Sequence, residues 1–330
     1  MFFESFILFL INFFIASSLS PILKKIGSKL NLIDRPDYRK INKRSLVRVG
    51  GISFIASFII SCIILVFFTK YNLIINSEFK NFFLISIIIS LLSFLLGFAD
   101  DLKSLSPIFR LFMQIIISSF VWVCGIQITN IDISFLRLDV EIIQLSKFIS
   151  FLLTIIWITG ITNAINWIDG LDGLASSLVG VSSLSLGILF MVEGNIQEGL
   201  ILIGISGSCL GFLIYNRYPA KLIMGDGGSY FLGFNLGYLS ILGGSSYLIS
   251  DSINVYTQKL HFFILIFLIP LFDMTYVILV RLLKGISPFY PDNNHIHHRL
   301  MNFGLTHDKV VKFLTGANII ICIFSLIILF

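Results

Sequence analysis

Long apolar stretches recur along this chain, and together they exceed what a water-soluble fold could bury. Apolar residues make up 56% of the 330 residues, whereas charged residues make up only 12%. A soluble protein of this size needs far more polar surface, so the excess apolar area must face lipid. The sequence therefore predicts a membrane protein.

Ten of these stretches approach the ~20 residues that a helix needs to cross ~30 Å of hydrocarbon. They predict an all-α, polytopic membrane protein of about ten transmembrane helices, with residues 1–330 as a single integral membrane domain. The predicted spans are 2–23, 50–69, 82–99, 108–126, 148–164, 174–192, 199–216, 229–248, 260–281 and 313–330. The four cysteines lie in or beside these stretches without C-x-x-C spacing, which indicates small buried hydrophobes.

The distribution of basic residues predicts the orientation. Most of the 23 Lys and Arg residues lie in the segments 24–49, 100–110, 163–175, 217–228 and 281–312. By the positive-inside rule these segments face the cytoplasm, so both termini are expected outside the inner (plasma) membrane. The basic residues of 24–49 serve either as the topology signal alone or also as a contact for anionic lipid headgroups.

Several of the eighteen acidic residues lie in clusters at the predicted cytoplasmic ends of the spans. Asp100 and Asp101 end the third span, and Lys103 and Arg110 follow them. Successive helical residues point ~100° apart, so the two carboxylates cannot be equivalent ligands of one ion. One can face a metal while the other faces a substrate or a cation. A solvated helix end paired with Lys103 is the simpler alternative.

A second cluster places an oxygen-bearing side chain at every third position. Its members are Asn163, Asn166, Asp169 and Asp172. Gly170 and Gly173 predict a break in the helix where the backbone can approach a ligand. Polar groups beside irregular backbone at membrane depth are tolerated only inside protein or beside a water-filled cavity. A purely structural turn is the alternative.

A third cluster surrounds Asp226, which lies among glycines just before an apolar stretch, with Ser229 placed to cap the helix. Backbone N–H groups at such a helix start can hold phosphate, and a carboxylate there can hold the ion that neutralises it. Glycine beside aspartate is also ordinary turn chemistry, so this motif is weak by itself.

A fourth cluster lies in the last predicted cytoplasmic loop. It consists of His295, His297, His298 and Arg299. A zinc site is one interpretation, although the H-E-x-x-H pattern is missing and adjacent histidines rarely bind one ion together. A cationic, hydrogen-bonding wall for a diphosphate fits better, with Arg299 able to make bidentate contacts.

Together the four clusters offer hard oxygen ligands, glycine-rich backbone and a basic clamp on one membrane face. Mg²⁺ prefers one or two carboxylates together with phosphate oxygens and retained waters. The combination therefore predicts an active site at the cytoplasmic face that holds Mg²⁺ and a nucleotide diphosphate, where Mn²⁺ could replace Mg²⁺.

The motifs D-D-x-K at 100–103, N-x-x-N-x-x-D-G-x-D-G-L-A at 163–175, G-D-x-G-S at 225–229 and H-x-H-H-R at 295–299 resemble one known family. This is the polyprenyl-phosphate N-acetylhexosamine-1-phosphate transferases, the WecA/TagO/MraY superfamily or glycosyltransferase family 4. The H-x-H-H-R form is similar to the WecA/TagO-like branch.

The resemblance implies roles for individual residues. Asp226 would bind Mg²⁺ together with Asn166 and Asp101, and Asp100, Asp101 and Asp226 would be the catalytic carboxylates. Substrate would be held by Asn163, Asn166, Asp169, Asp172, Lys103, Arg110, His295, His297, His298 and Arg299. The implied partners are a polyprenyl phosphate lipid, a UDP-sugar and the membrane, without nucleic acid, and a homodimer is left open.

The resemblance also implies a reaction of the EC 2.7.8 phosphotransferase type. A sugar 1-phosphate, most simply N-acetylglucosamine 1-phosphate, passes from a UDP-sugar to undecaprenyl or another polyprenyl phosphate, and UMP leaves. This would initiate a lipid-linked glycan of the cell envelope, such as the cell wall or the lipopolysaccharide O-antigen. Another UDP-2-acetamido sugar or UDP-MurNAc-pentapeptide is an alternative substrate.

Two other classes of membrane protein are alternatives to the transferase. An ion-coupled transporter would need polar groups near the midplane, whereas the outer halves of these spans carry almost no charge. A membrane metallohydrolase would use the histidines and zinc, and sensitivity to zinc chelators would favour it.

Overall fold

In a computed structural model, the protein is described over residues 2–34, 45–68, 77–132, 142–243, 245–250, 253–258, 260–290 and 292–329. These ranges hold twelve α-helices and six β-strands. The helices are α1 (Phe2–Lys29), α2 (Gly51–Phe68), α3 (Ser77–Lys103), α4 (Pro107–Val123), α5 (Lys147–Ile168), α6 (Leu174–Val192), α7 (Ile196–Asn216), α8 (Gly225–Gly243), α9 (Leu260–Ile266), α10 (Leu268–Leu283), α11 (Ile296–Asn302) and α12 (His307–Leu329).

The strands form three antiparallel pairs. They are β1 (Ile33–Asp34) with β2 (Leu46–Val47), β3 (Asn130–Asp132) with β4 (Ile142–Gln144), and β5 (Ser245–Ser250) with β6 (Ile253–Gln258). The segment that joins β1 to β2 includes residues 35–44, so this part of the predicted basic segment 24–49 lies outside the described residues.

Six helices in the described ranges are long and apolar enough to cross a membrane, by length and composition: Phe3–Lys29, Phe83–Lys103, Lys147–Ile168, Leu174–Val192, Ile196–Asn216 and His307–Ile328. Gly51–Leu65 and Pro107–Val123 are shorter apolar helices. The prediction of a mainly helical membrane protein is confirmed. The count of ten crossings and the cytoplasmic position of the site stay predictions.

Helix α8 lies at the centre of the bundle and packs against α2, α3, α5, α6 and α7. Of its nineteen residues, only Asp226 and Leu242 are not buried. The ring of Phe231 meets that of Phe58 in α2 edge to face, with the ring centroids 5.5 Å apart. This helix is not among the six because its glycines and polar residues lower its hydropathy, yet its burial makes it the core of the fold.

Polar side chains also join the helices around α8. Ser90 Oγ of α3 donates a hydrogen bond to Asn235 Oδ1 at 3.0 Å, and Trp157 Nε1 of α5 donates to Ser240 Oγ at 2.9 Å. Inside a membrane bundle, polar groups find partners on neighbouring helices because water cannot satisfy them. These bonds fix α8 relative to α3, which carries Asp100 and Asp101, and to α5, which carries Asn163 and Asn166.

The first and last helices form the outside of the bundle. Long apolar side chains on α1 and α12 are largely exposed, among them Phe14, Ile320 and Ile327. In water such continuous apolar faces would be unfavourable, so they are the surfaces that lipid covers.

Local signals explain where several helices begin. Ser106 caps α4 by accepting a hydrogen bond from the backbone N–H of Phe109 (3.3 Å), and Pro107 follows at the first helical position, where its missing N–H costs nothing. Ser146 caps α5 in the same way. Both starts agree with the predicted spans to within one residue.

The structure corrects the sequence-based boundaries at three places. Within the predicted span 229–248, helix α8 ends at Gly243, and β5 begins at Ser245. The predicted span 260–281 is divided into α9 and α10 at Phe267. The three strand pairs were not predicted because apolar, β-branched residues at the end of a span read equally well as helix or as a short strand.

The helices bring their site-bearing ends together. The C-terminal ends of α3 and α5 and the N-terminal ends of α4 and α8 lie at one end of the bundle, where Asp100, Arg110, Asn166 and Asp226 interact. The hairpins β3–β4 and β5–β6 follow the opposite ends of α4 and α8. The antiparallel packing of neighbouring helices therefore assembles one site from distant parts of the sequence.

We predict that Gly207→Ala in α7 destabilises the bundle. A Cβ at this position would collide with the backbone carbonyl oxygen of Phe9 in α1. Overpacking of this kind costs about 1–3 kcal/mol, so the unfolding temperature in detergent should fall. Gly316→Ala in α12 is the matched control because its Cβ would meet nothing within 4 Å. Equal unfolding temperatures for the two variants would contradict the close contact of α1 with α7.

Candidate active site

Asp226 lies at the first turn of the buried helix α8, and both of its carboxylate oxygens have partners. Asn166 Nδ2 donates to Asp226 Oδ1 at 2.9 Å and to Ser229 Oγ at the same distance. Arg48 Nη2 pairs with Asp226 Oδ2 at 2.8 Å. Gly225 precedes Asp226 with φ 73°, a left-handed conformation that glycine adopts without steric cost. Two of the predicted metal-binding residues, Asp226 and Asn166, are thus in direct contact.

Asp101 caps the N-terminus of α8 from another helix. Its Oδ1 accepts from the backbone N–H of Asp226 at 2.8 Å, and its Oδ2 accepts from the N–H of Gly227 at 3.0 Å. The first N–H groups of a helix lack intrahelical partners and carry partial positive charge, so a carboxylate stabilises them. The backbones of α3 and α8 nearly touch here, because a Cβ on Gly97 would collide with the carbonyl of Asp226.

Arg48 joins Asp101 to Asp226. Its Nε lies 2.6 Å from Asp101 Oδ1, and its Nη1 lies 4.0 Å from Asp34 Oδ1. Burial alone would lower the pKa of Arg48. The neighbouring carboxylates, Asp226 foremost, nevertheless raise this pKa above its usual value. The guanidinium therefore stays charged between the carboxylates.

The backbone around Arg48 is fixed by the segment that precedes α8. Arg48 forms a parallel bridge with Ile223. The N–H groups of Gly50 and Gly51 donate to the carbonyls of Ile223 (3.0 Å) and Met224 (2.9 Å). Arg48 was not among the predicted site residues, because its partners Asp101 and Asp226 lie far away in the sequence and the pairing leaves no local pattern.

Asp100 faces a different set of partners, as expected for a neighbour on the same helix. Its Oδ2 pairs with Arg110 Nη1 at 2.6 Å, and its Oδ1 accepts from the N–H of Leu105 at 2.7 Å. Its carboxyl group is also close enough to Asp226 to share a hydrogen bond. Asp100 and Asp101 thus have different partners, and their inequivalence as ligands of one ion stays a prediction.

A cavity of about 230 Å³ opens beside Asp226. It is lined by Asp34, Arg48, Asn166, Asp169, Gly170, Leu171, Asp172, Asn216, Ile223, Gly225 and Asp226. Burial, and then the nearby Asp226 carboxylate, raise the pKa of Asp169 well above its ordinary value. Four carboxyl groups face a single guanidinium across this cavity, so its lining carries excess negative charge.

Asp172 and Asn216 hold the turn that follows α5. Asp172 Oδ2 accepts from the N–H of Ala220 at 2.9 Å. Asn216 Oδ1 accepts from the N–H of Gly173 (3.1 Å) and from Ser176 Oγ (2.8 Å). The predicted break after the N-x-x-N-x-x-D motif is confirmed, since α5 ends at Ile168 and α6 begins at Leu174.

His295 is oriented by a buried carboxylate that the sequence analysis missed. Asp273 of α10 accepts from the N–H of Ile296 at 2.6 Å, and its Oδ2 lies 2.8 Å from His295 Nδ1. The edge of Trp167 packs against the His295 ring at a centroid distance of 5.8 Å. Asp273 was overlooked because it lies within an apolar run, and its partner comes 22 residues later.

The three histidine rings of the motif pack together, with ring centroids 5.5 Å apart between His295 and His297 and 4.5 Å apart between His297 and His298. His297 is buried against Gly170, and its Nδ1 has no hydrogen-bond partner within the described part of the chain. Burial, followed by the neighbouring His298 and His295, lowers the pKa of His297 well below its ordinary value, so at neutral pH it is an uncharged ring. Arg299 is exposed and lies over the ring of Tyr276 at 4.7 Å. The expected cationic wall is therefore partly built from neutral imidazole.

A second, longer cavity of about 570 Å³ adjoins the carboxylates on the side of α4, α5 and α10. Its polar part includes Arg110, Asn163, Asn166, Tyr230, Arg281 and His295, and its apolar part includes Leu111, Ile156, Met274 and Ile278. Asn163 Nδ2 donates to Gln114 Oε1 at 2.6 Å. Lys103 is exposed at the end of α3. The cavity thus has a charged head beside Asn166 and an apolar body.

Arg281 forms the wall of this second cavity. Its Nε and Nη2 bind Asp292 in a bidentate pair, each at 3.0 Å, and its Nη1 donates to the carbonyl of Pro288. Partial burial alone would raise the pKa of Asp292. Hydrogen bonds from Arg281 and Asn294 nevertheless lower this pKa to about 2. The pair is therefore fully ionised at neutral pH and fixes the loop that carries the histidine motif.

The residues described here hold no ready-made cluster of three or more His, Cys, Asp or Glu side chains for a metal ion. Asp226, Asn166 and Asp100 instead offer a few oxygen ligands at the edge of an acidic cavity. This donor set fits Mg²⁺, which uses one or two carboxylates and takes its other ligands from phosphate and water.

Comparison with known proteins gives consistent matches. The family model of glycosyl transferase family 4 matches residues 82–244. A probable undecaprenyl-phosphate N-acetylglucosaminyl 1-phosphate transferase of Bacillus subtilis (strain 168) is 29% identical over 91% of this chain and 78% of the relative. Undecaprenyl-phosphate alpha-N-acetylglucosaminyl 1-phosphate transferases of Yersinia pestis and Pasteurella multocida (strain Pm70) are 29% and 30% identical. These two matches cover 93% and 89% of this chain, and 79% and 78% of the relatives.

We predict that Arg48→Gln loosens the start of α8. Breaking a fully buried ion pair from one side costs about 3–5 kcal/mol, and less here because the Arg48 side chain is 28% exposed. Hydrogen exchange at the amides of Asp226 and Gly227 should become faster, since the carboxylate that caps them loses its cation. Arg48→Lys should give a smaller change.

Lys25→Gln is the matched control because Lys25 is exposed on α1, far along the chain from α8. Unchanged exchange at these two amides in Arg48→Gln, with the control also unchanged, would show that Arg48 does not support the cap.

Proposed function

This chain belongs to glycosyl transferase family 4, and we propose that it transfers N-acetylglucosamine 1-phosphate from a UDP-sugar to a polyprenyl phosphate, with release of UMP. The relatives reported above are named as undecaprenyl-phosphate N-acetylglucosaminyl 1-phosphate transferases. The observation that carries the proposal is the group of Asp100, Asp101, Asp226 and Asn166, which lies where a polar cavity meets an amphipathic one.

The two cavities suit the two substrates of this reaction. The cavity lined by Asp169 and Asp172 is polar and suits the nucleotide end of a UDP-sugar, whereas the longer cavity has the apolar body that a polyprenyl chain requires. Asn166 lines both cavities. The phosphorus that changes partners would therefore lie near Asn166 and Asp226, between the two substrates.

Charge supports a divalent cation in this site. A nucleotide diphosphate would be repelled by the carboxyl groups around Asp226 unless a cation neutralised both. Burial, and then the Asp226 carboxylate, already raise the pKa of Asp169. We propose that Mg²⁺, or Mn²⁺ in its place, is held by Asp226 with Asn166 and a carboxylate of the Asp100–Asp101 pair. Bound there, the ion would neutralise charge on the diphosphate oxygens.

Asp101 would act mainly by holding α8, because both of its oxygens already accept backbone hydrogen bonds. A carboxylate has about four lone-pair sites, so these two bonds and the contact with Arg48 leave room for one further ligand. Asp100 would orient the lipid phosphate together with Arg110. Arg110 lines the longer cavity, and its Nε has no hydrogen-bond partner among the described residues.

The transfer itself needs little proton chemistry. A phosphate monoester has a second pKa near ~6, so the lipid phosphate is largely dianionic at neutral pH and needs little help from a general base. We propose direct attack: an oxygen of the lipid phosphate bonds to the phosphorus that carries the sugar, and the bond from this phosphorus to UMP breaks. Positioning and charge neutralisation would supply most of the catalysis.

The position in the cell completes the proposal. We propose that the site faces the cytoplasm at the inner (plasma) membrane, in a chain of about ten crossings. The predominance of basic residues in the segments around the site supports this orientation. On this side a water-soluble UDP-sugar can enter the polar cavity while the lipid substrate reaches the site through the bilayer.

We expect purified protein with undecaprenyl phosphate, UDP-N-acetylglucosamine and Mg²⁺ to release UMP and to form the lipid diphospho-sugar. EDTA should stop the release and added Mg²⁺ should restore it, since the charge on the diphosphate would be unneutralised without the ion. UDP-glucose, which lacks the acetamido group, is the control substrate. UMP release that is insensitive to EDTA would contradict the metal assignment, and sugar phosphate trapped on the protein without lipid would exclude direct attack.

We expect Asp226→Asn to lose more than about 100-fold in turnover, which exceeds the 10–100-fold that changes outside the ligand sphere cause. The amide keeps the size of the side chain but removes its charge, so the protein should still insert and elute as a single species. Glu193→Gln, after the far end of α6, is the control of equal charge change. Near-normal turnover of Asp226→Asn in detergent would exclude Asp226 as the metal-binding carboxylate.

A further inference from the structure

A third cavity, of about 710 Å³, opens between α6, α7 and α12. Asp172 lines both this cavity and the polar cavity of the candidate active site, so the two are separated by the turn that follows α5. Small residues make the space: Gly173, Ser177, Thr315 and Gly316 line it, and a Cβ on Gly316 would meet nothing within 4 Å. None of the steps proposed above uses this cavity.

The lining of the cavity is amphipathic. Its apolar part comes from two helices that are long and apolar enough to cross a membrane, with Leu213 and Ile214 on α7 and Val311 and Ile319 on α12. Ile214 and Ile319 are each more than 40% exposed, so these walls continue onto the lipid-facing surface. An occupant with a hydrocarbon chain could therefore enter sideways from the bilayer.

The polar part of the lining lies at the ends of the same two helices. Arg217 and Lys221 follow the last turn of α7, and Lys312 lies in the first turns of α12. Lys312 is paired with Asp308 at 2.7 Å. In the ranges that the structure describes, the side chains of Arg217 and Lys221 have no ion-pair or hydrogen-bond partner. Two unpaired cations thus stand at the level where the apolar helices end, which is the depth of lipid headgroups.

Two buried polar atoms beside this cavity have no hydrogen-bond partner among the described residues. Thr315 lines the cavity, and its buried Oγ1 has no hydrogen-bond partner among the described residues. Nε2 of His307 is also buried and has no hydrogen-bond partner among the described residues. The His307 ring stacks on that of Tyr218, which lines the cavity, at a centroid distance of 4.3 Å. Buried polar atoms normally find a partner, so each of these positions calls for one.

We propose that this cavity binds one phospholipid with an anionic headgroup, whose phosphate lies between Arg217 and Lys221 and whose acyl chains run along Ile214 and Ile319. The lipid phosphate supplies the negative charge that pairs with the two cations, and basic residues near a membrane surface favour anionic headgroups in this way. The occupant contacts the Asp172–Gly173 turn from behind. It therefore supports the loop that lines the nucleotide side of the candidate active site.

The substrate lipid is a different occupant. We assign Arg110 and Asp100 to the phosphate of the substrate lipid. Arg110 lines the cavity between α4, α5 and α10, and Asp100 is paired with Arg110. Neither residue lines the third cavity. The proposal consequently does not depend on which sugar is transferred, and its test needs no turnover.

Native mass spectrometry of the detergent-purified chain, titrated with dioleoyl-phosphatidylglycerol or dioleoyl-phosphatidylcholine, tests the proposal. We expect one phosphatidylglycerol to bind at least about tenfold more tightly than phosphatidylcholine, because tenfold corresponds to about 1.4 kcal/mol and two cations take part. The double variant Arg217→Gln/Lys221→Gln should bind both lipids equally. The double variant Lys24→Gln/Lys25→Gln removes the same charge from exposed positions on α1 and should keep the preference.

A volume change separates this cavity from a diffuse basic surface. Gly316→Leu fills the apolar part and keeps every charge, so it should weaken the binding of phosphatidylglycerol. The melting temperature of each variant without lipid shows whether that variant is folded. If Gly316→Leu is not folded, lipid binding by Arg217→Gln/Lys221→Gln tests the proposal.

Three results would overturn the proposal. The first is equal binding of the two lipids to the unmodified protein, and the second is undiminished phosphatidylglycerol binding by Arg217→Gln/Lys221→Gln. The third concerns the source of the phosphate: displacement of phosphatidylglycerol by undecaprenyl phosphate or by millimolar inorganic phosphate would identify the cavity as a substrate-lipid or simple phosphate site.

Discussion

The contact of Asp101 with the first two N–H groups of α8 is the interaction on which the rest of this structure depends. It joins the end of α3 to the start of the most buried helix, and Arg48 adds the segment before α2 to the same point. Without that carboxylate, the helix start would keep unpaired donors next to Asp226, in a place that bulk water does not reach freely. Asp226 would then be held by its side-chain contacts with Asn166 and Arg48 but not by a fixed helix start.

This arrangement also explains why the site combines carboxylates at such short range. Like charges at this distance repel each other, so carboxylates lie close together only where oppositely charged partners offset the repulsion. Arg48 compensates for Asp101 and Asp226, and Arg110 compensates for Asp100. Burial, and then the nearby Asp226 carboxylate, raise the pKa of Asp169 well above its ordinary value, and Arg48 offsets this only in part. A site with residual negative charge is prepared for a cation.

Much of the site could be predicted from the sequence because its members occur in short motifs. The polar residues at every third position, the Asp-Asp pair and the glycine-flanked Asp226 each stand out against apolar surroundings, and the structure brings Asn166, Asp100, Asp101 and Asp226 into contact. The direction of each side chain could also be anticipated for Asp100 and Asp101, because the helical rotation between neighbours is fixed.

The parts that could not be predicted depend on contacts between distant segments. Arg48 meets Asp101 across 53 positions of the sequence, and Asp273 meets His295 from inside an apolar run. Neither pairing leaves a local pattern. The break of the ninth predicted span at Phe267 is hidden for a related reason, since hydropathy records how apolar a stretch is but not where its helix is interrupted.

A membrane enzyme of the proposed kind must bring a water-soluble nucleotide and a lipid to the same atoms, and the fold solves this by geometry. The polar cavity and the longer amphipathic cavity meet at Asn166, whose amide is held by Asp226 and Ser229. If the two cavities were joined more widely, water would reach the apolar one and screen the carboxylates. Because Asn166 lines both cavities, the two substrates of the proposed reaction would approach each other beside the carboxylates, where charge interactions are strong.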